Sequence, residues 1–374
     1  HLLLLFSFYL SDYFVVRARE LISPKTKAQF PPLRYKFTSF ATPTPEEAAA
    51  FCEKYFGAEV LNSREDFLTH KDVSPEARVT GVRFHYKDNP FYKAVHEKPS
   101  FTDVYFVYDS TKPTGNLTVS EFADFLHRTH RFDLEEAWDW YQDWHLAFYV
   151  EDLDLLLYRL VRDSIPVVTR GSSFYVEIPR GLTFQFLGKK MDLVWTELFS
   201  FCRVTTGRAE RQPMQIADLP EELPPIPELI PPSHHSFFSN DAIAAMEFVT
   251  AFTSGRAVDL RPQWQLSHRY SDGRCAQLAW VEFEEYQVHF VEQFRKYEGE
   301  GLPTREVERE LTALHGNMTR PDAFFDNHVG FLVDDLGPFL AELRARGAPH
   351  LARGRSLYMM LPGPAAAGAG VSVA

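Results

Sequence analysis

Cysteine is scarce in this chain. Three in 374 residues, Cys52, Cys202 and Cys275, are widely spaced and odd in number, so neither a disulfide framework nor a thiolate zinc site is expected, and we read them as buried thiols. Positive charge is also in deficit: 39 Lys and Arg against 51 Asp and Glu leave a net charge of −12. With no basic stripe interleaved with aromatics, nucleic acid is excluded as an expected partner. Neither a Gly-x-Ser-x-Gly elbow nor a phosphate-cradling glycine loop occurs, and no cysteine has an activating neighbourhood, so nucleophilic catalysis is not signalled. A long apolar run is missing too. The opening "HLLLLFSFYL" is, at about ten residues, too short to span a bilayer. We read residues 1–33 as an apolar arm that docks on a protein partner or covers the body of the fold, and favour an intracellular or organellar protein over a secreted one.

What is abundant is apolar and aromatic: 45% hydrophobic and 15% aromatic residues, enough for about two ordinary domains with substantial cores. The segment "EEAWDWYQDWH" concentrates Trp138, Trp140, Tyr141 and Trp144, whose main role is expected to be packing, with an apolar ligand pocket or partner surface as the second reading. Seven prolines fall between positions 212 and 233, a density that blocks helix and central strand. Residues 206–233 are therefore expected to be an extended linker between a first domain, 34–205, and a second, 234–374.

Self-similarity organises the rest. "DWHLAFYVEDLDLLLYRLVRDSIPVV", from Asp143, and "DNHVGFLVDDLGPFLAELRARGAPHL", from Asp326, share a His three residues before a Phe, a short apolar strand, an acidic turn, an amphipathic helix and a Pro-containing return. "RYKFTSFATPTPEEAAAFCEKYFGAEVL" has the same order, with Thr44 and Glu47 resembling a capping box and Phe51, Tyr55 and Phe56 at helical spacing. "HHSFFSNDAIAAMEFVTAFTSGRAVDL" is the fourth member. Each is followed by further short strands, giving four βαβββ units. Aromatic and charged insertions at 111–143 and 295–325 join units within each half.

The pattern resembles the vicinal oxygen chelate superfamily, which includes glyoxalase I, extradiol dioxygenases and bleomycin-resistance proteins. The resemblance covers about residues 34–374, and its most specific pieces are "HLAFYVEDLDLLLYRL" and "HVGFLVDDLGPFLAELRARG". It implies an α+β fold of four βαβββ modules paired into two cupped-sheet glyoxalase-like domains, modules one with two and three with four. It also implies metal ligands on the opening and closing strand of each module, converging inside a cup where a divalent ion activates substrate oxygens.

Carried over position by position, the opening-strand residues are Phe37, His145, His235 and His328, and the closing-strand residues Tyr105, Gln185, His289 and Ser372. The first domain would then hold Phe37, Tyr105, His145 and Gln185, a degenerate site. The second would hold His235, His289 and His328, a candidate three-imidazole site for zinc, iron, nickel or manganese, with Ser372 at the fourth corner where a carboxylate is expected. Phe37, Tyr105 and Ser372 should not bind metal, and none of the eight is a carboxylate. Two readings follow. One is a descendant that has lost the ancestral chemistry and serves as a small-ligand-binding or assembly subunit. The alternative is a metal-dependent lyase, isomerase or dioxygenase acting on a small apolar or carbonyl compound.

Overall fold

The computed structural model describes residues 2–8, 30–61, 77–86, 101–108, 145–188, 225–259, 278–291 and 328–361, apart from short gaps at 166, 171–172, 180–181, 228, 239–241, 284–285, 349 and 354–355. Both expected insertions, Cys202, Cys275 and Ser372 lie outside the described residues.

The described elements are mixed α and β. In chain order they are β1 (Leu2–Phe8), β2 (Arg34–Ala41), α1 (Pro45–Phe56), β3 (Glu59–Leu61), β4 (Arg78–His85) and β5 (Phe101–Tyr108). Then come β6 (His145–Val150), α2 (Leu153–Arg162), β7 (Val167–Arg170), β8 (Ser173–Ile178) and β9 (Leu182–Gly188). The third group is β10 (Leu229–Phe238), α3 (Ala242–Phe252), β11 (Arg256–Asp259), β12 (Leu278–Phe283) and β13 (Tyr286–Val291). The last is β14 (His328–Val333), α4 (Gly337–Ala345), β15 (His350–Arg353) and β16 (Ser356–Leu361).

Local chemistry explains the boundaries. The α1 helix starts on Pro45, whose fixed φ suits a first turn, and Thr44 makes no side-chain cap, so the expected capping box is not formed. It ends on Gly57 at φ 67°, where the Gly57 and Ala58 amides donate to Glu53 and Cys52 carbonyls, a left-handed stop that favours glycine. By contrast, Asp152 does cap α2, its carboxylate accepting from the Leu155 amide at 2.9 Å. Cys52, on the buried face of α1, is fully buried, and that burial pushes its thiol well up.

The strands form two eight-stranded sheets. One runs β15-β16-β1-β14-β2-β5-β4-β3 and the other β11-β12-β13-β10-β6-β9-β8-β7. The expected pairing of consecutive units is therefore corrected: the first and fourth groups share a sheet, and the second and third share the other. β6 and β10, on opposite sides of the Pro-rich segment, pair directly and antiparallel, His145 opposite Ser236 and Ala147 opposite His234. The linker joins two halves of one sheet.

The arm is corrected as well. Leu2–Phe8 is a strand inside the first sheet, antiparallel to β14 and parallel to β16. Both of its backbone edges are paired. Leu5 lies opposite Gly330 and Tyr358, which puts it at the register position where the fourth unit's closing strand was expected to supply Ser372.

Each sheet buries one face against the helices, and these faces meet back to back. Phe40, Phe84 and Phe106 of the first sheet pack with Phe148, Phe174, Phe184 and Phe186 of the second and with α1 and α2 residues. Phe237, Val281, Val288 and Phe290 of the second pack with Val329, Phe331, Leu357 and Met359 of the first and with α3 and α4 residues. Strand alternation then sends the intervening side chains to the opposite, inner face of each sheet.

Candidate functional site

Every opening strand follows one formula: a large side chain, a spacer, a small residue, then Phe. The four are Phe37, Ser39, Phe40; His145, Ala147, Phe148; His234, Ser236, Phe237; and His328, Gly330, Phe331. Phe40, Phe148, Phe237 and Phe331 are all buried on the helix side. The residue three positions earlier therefore faces inward. On β10 that residue is His234, and the expected His235 is corrected by one position.

The error has a physical origin. The small Ser236 preceding Phe237 selects His234 over its neighbour His235, and a shift of one residue reverses a strand's faces. Pro231 and Pro232 within β10 add register irregularities between Ile230 and His234, which hid the strand's start.

In the second sheet, the cross-strand register lays out two adjacent rows on the inner face. One row runs Trp280, His289, Ser236, His145, Thr183. The other runs Arg256, Glu282, Gln287, His234, Ala147, Gln185, Tyr175. An approximate twofold between β6 and β10 exchanges His145 with His234, Gln185 with His289 and Tyr175 with Trp280.

The rings of this face touch. His145 Nε2 and His234 Nε2 are 2.9 Å apart, so one donates and the other accepts, and Ser233 Oγ lies 2.8 Å from His234 Nδ1. The His234 ring stacks on His289 at 3.9 Å, and His289 stacks on Trp280 at 4.0 Å and 3°. Tyr175 meets His145 edge-on at 5.2 Å, and Gln185 Nε2 donates to Ser173 Oγ at 3.1 Å. His145, Gln185, His234 and His289 are each at most 4% exposed. Burial, followed by repulsion from the neighbouring imidazoles, holds His234 and His289 well below the ordinary histidine value, so both rings are neutral near pH 7.

The first sheet's inner face is different. Phe37 meets Tyr105 edge-on at 5.5 Å and His328 at 5.6 Å, and Tyr358 lies 6.1 Å from His328. The chain places His328 here, not with His289, which corrects the expected three-imidazole set. Beside this aromatic group, buried Asp103 takes two bonds from Arg83, at 2.7 and 3.0 Å, and Lys36 Nζ lies 4.0 Å away. Both cations also sit over the Phe101 ring. Sequence reasoning missed this charged group, whose signal was the alternation of Phe101, Asp103 and Tyr105 on one strand.

His235 lies on the helix side, fully buried, stacked at 3.9 Å on Phe237 and 5.3 Å from Phe40. Neither of its ring nitrogens has a hydrogen-bond partner among the described residues.

These donors do not fit the divalent metal implied by the resemblance. His145 and His234 turn Nε2 toward each other, His289 turns Nε2 to Gln287 Oε1 at 3.0 Å, and none of the face's convergent positions carries a carboxylate. Among the described residues, no group of three or more His, Cys, Asp or Glu is spaced to hold a metal ion. Nor, among them, is any helix long and apolar enough to cross a membrane.

No protein-family model matches the chain, and no curated protein matches it. Among solved structures, a Bacillus anthracis protein described as of the glyoxalase family is 16% identical over 43% of this chain and 98% of its own, with a TM-score of 0.25. A Bacillus subtilis protein described as a dioxygenase is 9% identical over 90% of this chain and 87% of its own, at 0.40. A variant of glyoxalase I from Zea mays is 11% identical over 75% of this chain and 99% of its own, at 0.27. TM-scores this low carry no weight, and the site rests on the register of the chain's own strands.

Proposed function

We propose that the protein is a divergent member of the vicinal oxygen chelate superfamily, built from four βαβββ modules, that has left the ancestral metal-dependent chemistry. It holds a small neutral ligand on the inner face of the second sheet. The single observation that carries this reading is the 2.9 Å approach of His145 Nε2 to His234 Nε2. Two imidazoles joined by a shared hydrogen, beside the neutral His289 ring, present a buried polar surface flanked by Trp280 and Tyr175 for stacking. The first sheet, with Phe37, Tyr105, His328 and Tyr358 packed together, serves as structure.

The test is metal content by inductively coupled plasma mass spectrometry on protein purified without chelators, then reloaded with zinc, iron, nickel and manganese. Ligand-observed NMR with small neutral aromatic fragments runs beside it. The expected result is no stoichiometric metal, and fragments whose binding weakens at least tenfold in His145→Phe. Stoichiometric metal that is lost in His234→Ala and kept in His235→Ala would overturn the reading and restore a lyase, isomerase or dioxygenase.

A further inference from the structure

His289 is held by a chain of contacts that runs to the far strand of its sheet. Arg256, Glu282 and Gln287 are successive cross-strand neighbours on β11, β12 and β13, and Gln287 precedes His289 by two residues on the same face. The Arg256 guanidinium hydrogen-bonds the Glu282 carboxylate. Gln287 Nε2 then donates to Glu282 Oε1 at 3.2 Å, and Gln287 Oε1 faces His289 Nε2 at 3.0 Å.

The directions of these bonds are forced in order. An ionised carboxylate, here fixed by an arginine, only accepts, so the Gln287 amide must turn its NH2 group toward it. That leaves the amide oxygen facing His289, and an amide oxygen also only accepts. The proton on the neutral His289 ring is therefore on Nε2, and the lone pair is on Nδ1.

We propose that Arg256, Glu282 and Gln287 form a tautomer clamp that makes His289 Nδ1 a hydrogen-bond acceptor and so selects a neutral ligand carrying an O–H or N–H donor. The inference rests on the inner face of the second sheet being a ligand site. Glu282 and Gln287 are positioning residues that act through His289. The surface offers a donor-bearing ligand one fixed acceptor. It offers an anion no free arginine or lysine, since the one such cation named on this face, Arg256, is engaged by the Glu282 carboxylate.

The full chain labelled with 15N-histidine allows a direct test by two-bond 1H–15N correlation spectra, which show which ring nitrogen carries hydrogen. In the ligand-free parent, His289 should give a single Nε2-protonated pattern. Glu282→Gln leaves the ring untouched but frees the Gln287 amide to turn either way, and Gln287→Leu removes the acceptor; both should lose the single pattern and give mixed tautomers. An Nδ1-protonated ring in the parent, or an unchanged pattern in either variant, would overturn the clamp. Should Gln287→Leu fail to fold, the parent and Glu282→Gln spectra decide. Phenol and its methyl ether anisole test the selection, phenol being expected to shift the His289 Nδ1 resonance at a concentration at least tenfold lower. Equal responses would overturn donor selection. No response to either compound would count against the ligand site, while the clamp stands or falls on the spectra alone.

Discussion

The Nε2 atoms of His145 and His234 lie 2.9 Å apart although 89 positions separate them, and a third ring, His289, stacks on His234 at 3.9 Å. One shared hydrogen joins His145 to the neutral His234 ring. A second proton would place a charge in a buried site, which burial disfavours.

That arrangement predicts acid sensitivity. His234 and His289 are held well below their ordinary value, chiefly by burial, so the folded chain resists protons that the unfolded chain accepts near pH ~6.5. Stability is then unaffected by these groups above that pH and is lost as pH falls below it toward their folded values. Each contributes up to about 1.4 kcal/mol per pH unit. Urea unfolding between pH 7.5 and 5.5 should show a steeper decline in the parent than in His234→Phe; parallel declines would count against the neutral cluster.

His235 invites the opposite experiment. Its two buried nitrogens lack partners among the described residues, and its ring already stacks between Phe237 and Phe40. Phe keeps the shape and removes the unmet polar atoms, so His235→Phe should stabilise the chain by about 1–3 kcal/mol in denaturant unfolding. The His145, His234 and His289 resonances should stay where they are. Destabilisation would show that His235 has a polar role.

Gly330 sits under an aromatic ring. A Cβ there would fall 2.3 Å from Phe37 Cε1, with two more Phe37 ring carbons within 2.7 Å. Gly330→Ala should therefore cost about 1–3 kcal/mol through overpacking. Combining it with Phe37→Leu should recover part of that loss, a coupling that a double-mutant cycle measures. Strict additivity would mean that the ring moves aside freely.

Much of this was legible in the sequence, and particular residues show where legibility ended. The opening strands, the helices after them and the inward aim of His145, Tyr105, Gln185 and His289 follow from periodicity that local steric rules enforce. The partnership of β6 with β10 does not, because nothing within either strand states which edge it will meet, and sequence proximity suggested the wrong neighbour. His234 was lost to one residue of register, although Ser236 before Phe237 repeats the small residue of the other three strands. Glu282 carries no such signal, because its link to His289 exists only once cross-strand pairing brings Gln287 between them.

The place of β1 was the least legible feature, and it gives the last prediction. A run of leucines at the start of a chain reads equally as an arm, a cover or a strand, and only the unpaired edges of β14 and β16 decide among them. Leu5 lies at the middle of this strand, opposite Gly330 on one side and Tyr358 on the other. Proline there has no amide hydrogen and cannot sustain a ladder within a sheet, which costs about 3 kcal/mol or more. Leu5→Pro should release β1 and leave two edges open to pairing with other chains. Size-exclusion chromatography should then show self-association, and amide exchange should lose protection in β14 and β16 while β6, β9 and β10 keep theirs. A monomer with unaltered protection in all five strands would mean that β1 adds nothing to the sheet it completes.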